Sequence, residues 1–344
     1  MSERTTYTMR DVARLAGVST STVSAVINET VAVSVERKKS VMAAMAALDY
    51  HPDEVARSLK TGRTNVIGVV IPDITNAFYP EVIRGVEEAA RKAGYGVLLC
   101  DSSEDAQSEA KHLAMLSARR VDGVLLACCA NSRAFDATIR RRFPMVFVDR
   151  IPPGTVDNTV SSDNVDAGYM ATNHLIKLGH VRIAMMLGNL ELSPHRDRLE
   201  GFRRAMQESN LPVRDEYLVC GGMEIEDART AGLQLLRTSP SPTAIVGCNN
   251  KLLLGLLESI EERKRKIPSQ LSIVGFDDYV WNRYVMPGLT VIAQSTSEMG
   301  RSAFELLNQL INADSKEVLP KQIRLKTELR VRNSTTQPAS SQKR

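Results

Sequence analysis

No stretch of 18 consecutive apolar residues occurs in the chain, so no segment is long enough to cross a membrane as a helix. The opening from Met1 to Arg14 is polar and charged and lacks the apolar centre of a secretion signal, so a secreted form is not expected. The five cysteines are odd in number and have no CxxC spacing. In a chain of 344 residues this points to a reduced, cytosolic protein, not a disulfide scaffold. The five histidines lack HExxH spacing, and no metal is expected. There is no GxGxxG after the first core strand, no GxSxG and no P-loop sequence. An enzyme is therefore not expected, and neither catalytic residues nor cofactors are assigned. The formal net charge of +4 is too small to mark a nucleic-acid binder by itself.

What is present is an ordinary globular composition, 43% hydrophobic and 24% charged, in a chain long enough for two or three domains. Two textures meet near residue 63. Residues 1–50 carry helical patterns without a convincing strand. From Asn65 onward, short β-branched runs alternate with amphipathic stretches: VIGVVI (66–71), GVLLC (96–100), GVLLAC (123–128), MVFV (145–148), VRIAMML (181–187), AIVG (244–247) and LSIVGF (271–276). Such alternation predicts parallel sheets covered by helices on both faces. The series restarts after VFVDR (146–150), which predicts two similar α/β lobes. A strand-like TVIAQ (290–294), a helix near 296–312 and a strand-like QIRLKTELRVR (322–332) could complete both lobes. The last residues, STTQPASSQKR (334–344), read as a disordered tail.

Polar residues follow the strands, among them Asp101, Asp149-Arg150, Asn249-Asn250 and Asp277-Asp278. Ligands of open parallel sheets sit at these strand ends. Aspartates there suit the hydroxyl donors of a sugar, although an Asp in such a place also commonly caps the next helix. In the first sixty residues, Thr8-x-x-Asp11 has capping-box spacing before a helix expected to bury Val12, Leu15 and Ala16. Gly17 breaks it, Ser19 caps a second helix with Val23, Val26 and Ile27 inward, and Ser34 caps a third with Val41, Met45 and Leu48 inward. This is a helix-turn-helix pattern, equally readable as a generic three-helix docking module. The outer face of the second helix, Thr20, Ser21, Thr22, Ser24, Ala25 and Asn28, carries short hydrogen-bonding groups able to reach phosphates and base edges. Residues 1–63 hold nine Lys and Arg against seven Asp and Glu, with clusters at Arg37-Lys38-Lys39 and Arg57-Lys60-Arg63.

The stretch 7–79, from YTMRDVARLAGVSTSTVSAVINE to IPDITNAFY, resembles the lactose-repressor/galactose-repressor (LacI/GalR) family of bacterial transcription regulators, as do RRVDGVLLA (119–127), LGHVRIAMMLG (178–188), RDRLEGFRRAM (196–206) and LSIVGFDD (271–278). The resemblance implies an all-α helix-turn-helix headpiece (1–52), a hinge helix and linker (53–63) and an α/β core of two doubly wound parallel-sheet lobes, like periplasmic binding proteins (64–333). Lobe 1 would span about 64–162 and 295–322, and lobe 2 about 163–294 and 323–333. It implies phosphate contacts from Thr8, Ser19, Thr22, Ser24 and Asn28, base reading by Thr20 and Ser21, and a hinge helix matched by Arg57 and Leu59, in which the Leu pries open a central base step in the minor groove. Ala25 and Asp53 depart from the family's usual Arg and Asn. Effector contacts would come from Phe78, Tyr79, Asp149, Arg198, Asn249, Asp277 and Gln294, with Asn250 departing from the usual Asp. Trp281 could pack on a sugar face or simply within its lobe. The implied protein is a cytoplasmic homodimer binding pseudo-palindromic operator DNA, a repressor answering a sugar or sugar acid. The alternatives are a purine-type nucleobase effector or a solute-binding protein. The tail has no leucine heptad, so the dimer would come from the core.

Overall fold

The computed structural model describes residues 7–28, 32–50, 62–132, 142–313 and 319–339. The chain divides into two compact units, Met1–Thr64 and Asn65–Arg344. The expected hinge helix, with Asp53, Arg57 and Leu59, lies outside the described residues. Among the described residues no helix is long and apolar enough to cross a membrane.

The first unit holds helices α1 (Met9–Ala16), α2 (Thr20–Asn28) and α3 (Val35–Ala47). The amide and hydroxyl of Thr8 both donate to the Asp11 carboxylate, at 2.9 and 2.7 Å, so Asp serves here in place of the longer Glu of a capping box. Gly17 ends α1 in the left-handed region at φ 65°, where a side chain would be strained. Ser19 accepts from the amide of Thr22 at 3.2 Å and so starts α2. Val12, Val23 and Val41 are wholly buried and join the three helices. Leu15, expected in this core, is 55% exposed and Ala13 is buried instead. At 100° per residue, positions 12, 16 and 13 share one arc and position 15 falls outside it. Ser34 sits at the N-cap of α3 but its side chain makes no cap bond, contrary to expectation.

The second unit contains two six-stranded sheets built on one plan. Sheet 1 has β1 (Val66–Ile71), β2 (Gly96–Asp101), β3 (Gly123–Leu126), β4 (Met145–Val148), β5 (Thr159–Ser162) and β11 (Gln322–Leu325), in spatial order β2-β1-β3-β4-β5-β11, all parallel. Sheet 2 repeats it with β6 (Ile183–Leu187), β7 (Leu218–Cys220), β8 (Ala244–Gly247), β9 (Ser272–Phe276), β10 (Thr290–Ala293) and an antiparallel edge strand β12 (Glu328–Arg330), in order β7-β6-β8-β9-β10-β12. The central strands are buried along their length, which is why they read as continuous apolar runs. Helices α4 (Phe78–Lys92), α5 (Ala106–Ala118) and α10 (Thr296–Ile311) serve sheet 1. Helices α6 (Asn164–Lys177), α7 (Ser193–Glu208), α8 (Ile225–Leu235) and α9 (Asn250–Glu262) serve sheet 2.

The expected boundary of the lobes at 322/323 is corrected. Gln322–Leu325 pairs with β5 in sheet 1, and the chain crosses at Lys326-Thr327 before β12 joins sheet 2. What read as one strand is two, because the alternation of side chains continues through the crossing. The tail is corrected over residues 334–339, and residues 340–344 lie outside the described residues. Ser334 is wholly buried. Its hydroxyl donates to the carbonyl of Ile273 at 2.6 Å and accepts from the amide of Thr290 at 2.8 Å. The Thr336 amide donates to Ser272 Oγ at 3.0 Å, and the Thr336 carbonyl lies 2.8 Å from His180 Nε2. Composition made this segment look disordered, yet short Ser and Thr side chains are what a strap needs to satisfy the starts of β9 and β10. Ser334→Ala leaves a buried amide and a buried carbonyl with fewer partners and should cost about 1–3 kcal/mol in chemical denaturation. A change within about 0.5 kcal/mol, the usual size for a surface substitution, would mean the strap adds nothing to lobe 2.

Candidate functional site

The carboxyl ends of both sheets face one cleft, and the same strand of each lobe ends there in an aspartate. Asp149 follows β4 and Asp277 follows β9. Both take the left-handed backbone region, at φ 61° and 69°, which turns the chain sharply out of the strand. Both side chains are buried, 6% and 5% exposed. Burial raises the pKa of Asp149, against the opposing pull of Arg150 and Arg198. Burial likewise pushes Asp277 up to about 6, despite Arg198 and a 2.6 Å hydrogen bond from Gln294 Nε2. The Tyr79 hydroxyl donates to Asp149 at 3.3 Å, and its own proton is held by burial.

Arg198, 3% exposed, stands on α7. The helix comes close because Gly168 on α6 has no side chain: a Cβ there would lie 2.1 Å from the Arg198 carbonyl. The guanidinium donates from Nε to Asn164 Oδ1 at 2.8 Å and from Nη1 to the Cys248 carbonyl, and it covers the Phe276 ring at 4.1 Å. Those acceptors are neutral and leave Nη2 for the cleft. Arg150 is matched differently, with a two-pronged ion pair to Glu104 at 2.7 and 2.8 Å. His195 accepts a bond from the Gly188 amide at 3.2 Å, and burial lowers its pKa to about 3, so it is neutral. Gln294 Oε1 is buried without a hydrogen-bond partner, an open acceptor beside Asp277.

All seven residues expected in the effector site line one cavity: Phe78, Tyr79, Asp149, Arg198, Asn249, Asp277 and Gln294. Asn249 contributes only partly, since its Oδ1 caps α9 by accepting from Leu252 at 2.8 Å. The sequence reading missed Asn76, Leu192, Pro194 and His195 as lining residues, and did not assign Arg150. A run such as NLELSPH carries no residue-type signal, although its place directly after β6 could have found it. Trp281 is not in the lining. It stacks on Tyr279 and packs on lobe 2, so the lobe-packing alternative holds. Burial pushes the Cys129 thiol up to about 12 and raises Cys128 well above the ordinary range, which keeps both protonated and unreactive.

The cleft is closed. Lys251 reaches Asp73 across it at 2.9 Å, Asn250 donates to Asn76 at 2.9 Å, and on the other side the Ile151 amide donates to Ser193 Oγ at 2.9 Å. Asn250 at the position of a departure from the family pattern is thus part of the latch. About 40 Å³ remains in which the centre of a water molecule can move, room for a few waters. A larger hollow of about 490 Å³ shares Arg150 and Leu192 as walls.

In the first unit, Thr8, Ser19, Thr20 and Ser21 are exposed, and Thr22 and Ser24 half-buried. Ser19 Oγ lies 2.7 Å from Ser21 Oγ and 2.8 Å from Thr22 Oγ1, a hydroxyl cluster at the start of α2. Asn28 closes the helix, its side chain outside the described part. Helix starts of this kind favour anions.

Two family models match the chain: bacterial regulatory proteins of the lacI family over residues 8–53, and periplasmic binding proteins and sugar binding domain of the LacI family over 64–329. The HTH-type transcriptional repressor PurR of Actinobacillus pleuropneumoniae serotype 3 (strain JL03) is 37% identical over 331 residues, covering 95% of this chain and 98% of that protein. Among solved structures, the lac repressor dimer bound to operator and the anti-inducer ONPF is 25% identical with a TM-score of 0.85, covering 96% of this chain and 99% of that one. A LacI family transcriptional regulator from Enterococcus faecium with bound ribose is 29% identical with a TM-score of 0.71, covering 79% and 99%.

Asp277 supplies a test of the cleft's electrostatics. Its folded pKa of about 6 exceeds the ordinary 3.8, so the folded state holds the proton more tightly and stability falls as pH rises through that window. The difference is worth roughly 3 kcal/mol above pH 6. Asp277→Asn keeps the acceptor for Gln294 and removes the charge. The variant should melt at a higher temperature than the parent at pH 7.5, with the gap closing toward pH 4. A gap independent of pH would refute the buried charge.

Proposed function

The chain belongs to the LacI family of bacterial regulatory proteins, and from that premise we propose that it is a cytoplasmic homodimeric repressor whose operator affinity is set by a purine-type nucleobase. Two headpieces would read a pseudo-palindromic site, since one headpiece buries little area and tight binding needs two half-sites. Ser19, Thr22, Thr8, Ser24 and Asn28 are assigned to phosphates, Thr20 and Ser21 to base edges, and Arg57 to the hinge helix whose Leu59 enters the minor groove. Ala25 offers no strong guanine contact.

The observation that carries the effector reading is the pair of buried carboxylates with one unmatched guanidinium between them. Asp149 and Asp277 accept from N–H groups at fixed places on a flat ring, Arg198 donates to a ring carbonyl or nitrogen, and Phe78 and Tyr79 give an aromatic wall. Relatives named PurR at 37% identity over nearly the whole chain favour this class over the sugar that the sequence alone suggested. The second reading is a neutral sugar, favoured by the ribose-bound neighbour, with hydroxyls donating to the same acids. A sugar acid ranks third, because two carboxylates in the cleft repel it. Entry requires the Lys251–Asp73 and Asn250–Asn76 latches to part, so the effector acts through the closure equilibrium of the lobes.

A thermal-shift comparison of purine bases, sugars and sugar acids separates the classes. Purine bases should stabilise the protein, and stabilisation by sugars alone would transfer the assignment to the second reading. Calorimetry with the active compound should then show Arg198→Ala and Asp277→Ala each losing about 1–3 kcal/mol of binding, as expected for a hydrogen bond to a charged group. No loss in either variant would place the effector elsewhere. Leu59→Ala should weaken operator binding more than non-specific binding, because only a kinked operator accepts the wedge. Equal losses on operator and random duplex would remove that role.

A further inference from the structure

At the pole of lobe 2 opposite the cleft, where β6, β8 and β9 begin, lies a groove of about 400 Å³. Its size falls in the range of small-molecule sites. Two guanidinium groups converge on one residue there. Arg182 Nε donates to the Ser241 carbonyl at 3.0 Å and Arg265 Nη2 donates to Ser241 Oγ at 3.0 Å. Both side chains line the groove and belong to half-buried residues, and among the described residues neither is paired with a carboxylate. The buried Arg150 is matched by Glu104 and the half-buried Arg332 by Asp278. The unmatched Arg198 opens on the cleft, and Arg182 with Arg265 opens on the pole.

We propose that this groove is a second ligand site, taking inorganic phosphate or a small phosphate monoester through Arg182 and Arg265. Two planar forks supply more donors than a single carboxylate can accept, whereas a phosphate presents three free oxygens and two charges. Arg265 belongs to the run Arg263-Lys264-Arg265-Lys266, four successive cations whose potential draws in an anion. Pro242, Pro268 and Pro338 make the walls, so little side-chain freedom is lost on binding. Because Pro338 belongs to the strap, a bound phosphate also fastens the strap to lobe 2. This assignment is independent of the effector's identity.

The test is thermal shift and calorimetry on the full chain, with sodium phosphate or glycerol 3-phosphate against sodium chloride at equal ionic strength. Phosphate should raise the melting temperature saturably below about 20 mM, as ligand linkage requires for a millimolar site, and chloride should not. The Arg182→Gln/Arg265→Gln double variant should bind operator unchanged and lose at least about tenfold in phosphate affinity. Should the double variant fold poorly, the single variant Arg265→Gln, which gives up only the bond to Ser241 Oγ, should show the same loss. A shift retained in a folded variant would assign the anion to the headpiece or the cleft and overturn the proposal, as would the absence of any saturable shift. A glycerol 3-phosphate shift well above that of inorganic phosphate identifies a monoester, and equal shifts identify the free ion.

Discussion

Two carboxylates removed from water at the facing ends of two parallel sheets are the constraint on which the core depends. Burying a charge is expensive, and attraction to neighbouring guanidinium groups offsets only part of that cost. Arg198 therefore sits between Asp149 and Asp277, and Arg150 is itself held by Glu104. The remaining imbalance is visible as raised pKa values on both acids. It places the closed cleft under electrostatic load, which hydrogen-bond donors offered to the two acids would relieve.

The position of these groups follows from topology. Both lobes have the strand order second, first, third, fourth, fifth, so the same strand of each delivers its last residue to the same crevice. The left-handed turn after β4 and after β9 converts the strand direction into a side-chain direction. Helix α7 reaches the crevice only because Gly168 and Gly201 let α6 and α7 touch backbone to backbone, a Cβ on Gly201 falling 2.0 Å from the Val165 carbonyl. A positioning role of this kind belongs to residues that never touch the ligand.

The crossing segments leave the carboxyl ends of β5, β10 and β11 and tie the lobes together, while the strap is bound within lobe 2. The chain passes from lobe 1 to lobe 2 before Asn164, back into lobe 1 at α10 and β11, and again into lobe 2 at β12. Three crossings with latches across the cleft give a hinge with a defined closed state, and the closed state is what a ligand in the cleft would favour or oppose.

The elements legible in residue order are those that short-range physics controls. The apolar runs are strands because parallel strands are buried on both faces, Gly17 and Ser19 set the turn between two helices, and aspartates after strands mark the ligand end of such sheets. That local signal marks Asp149, Asn249 and Asp277, whereas Phe78, Tyr79, Arg198 and Gln294 are expected from the family resemblance, and all seven line one cavity. Tertiary structure alone decided the rest. Leu15 lost its place in the helical core to Ala13 because three helices of fixed geometry share one narrow arc. The polar tail became a strap because the starts of β9 and β10 needed hydrogen-bond partners, and composition is blind to a demand made by distant strands. The break between β11 and β12 and the contributions of Asn76, Leu192 and His195 were likewise hidden. Each depends on which backbone lies opposite across the cleft or the crossing, and a linear pattern holds no information on that distance.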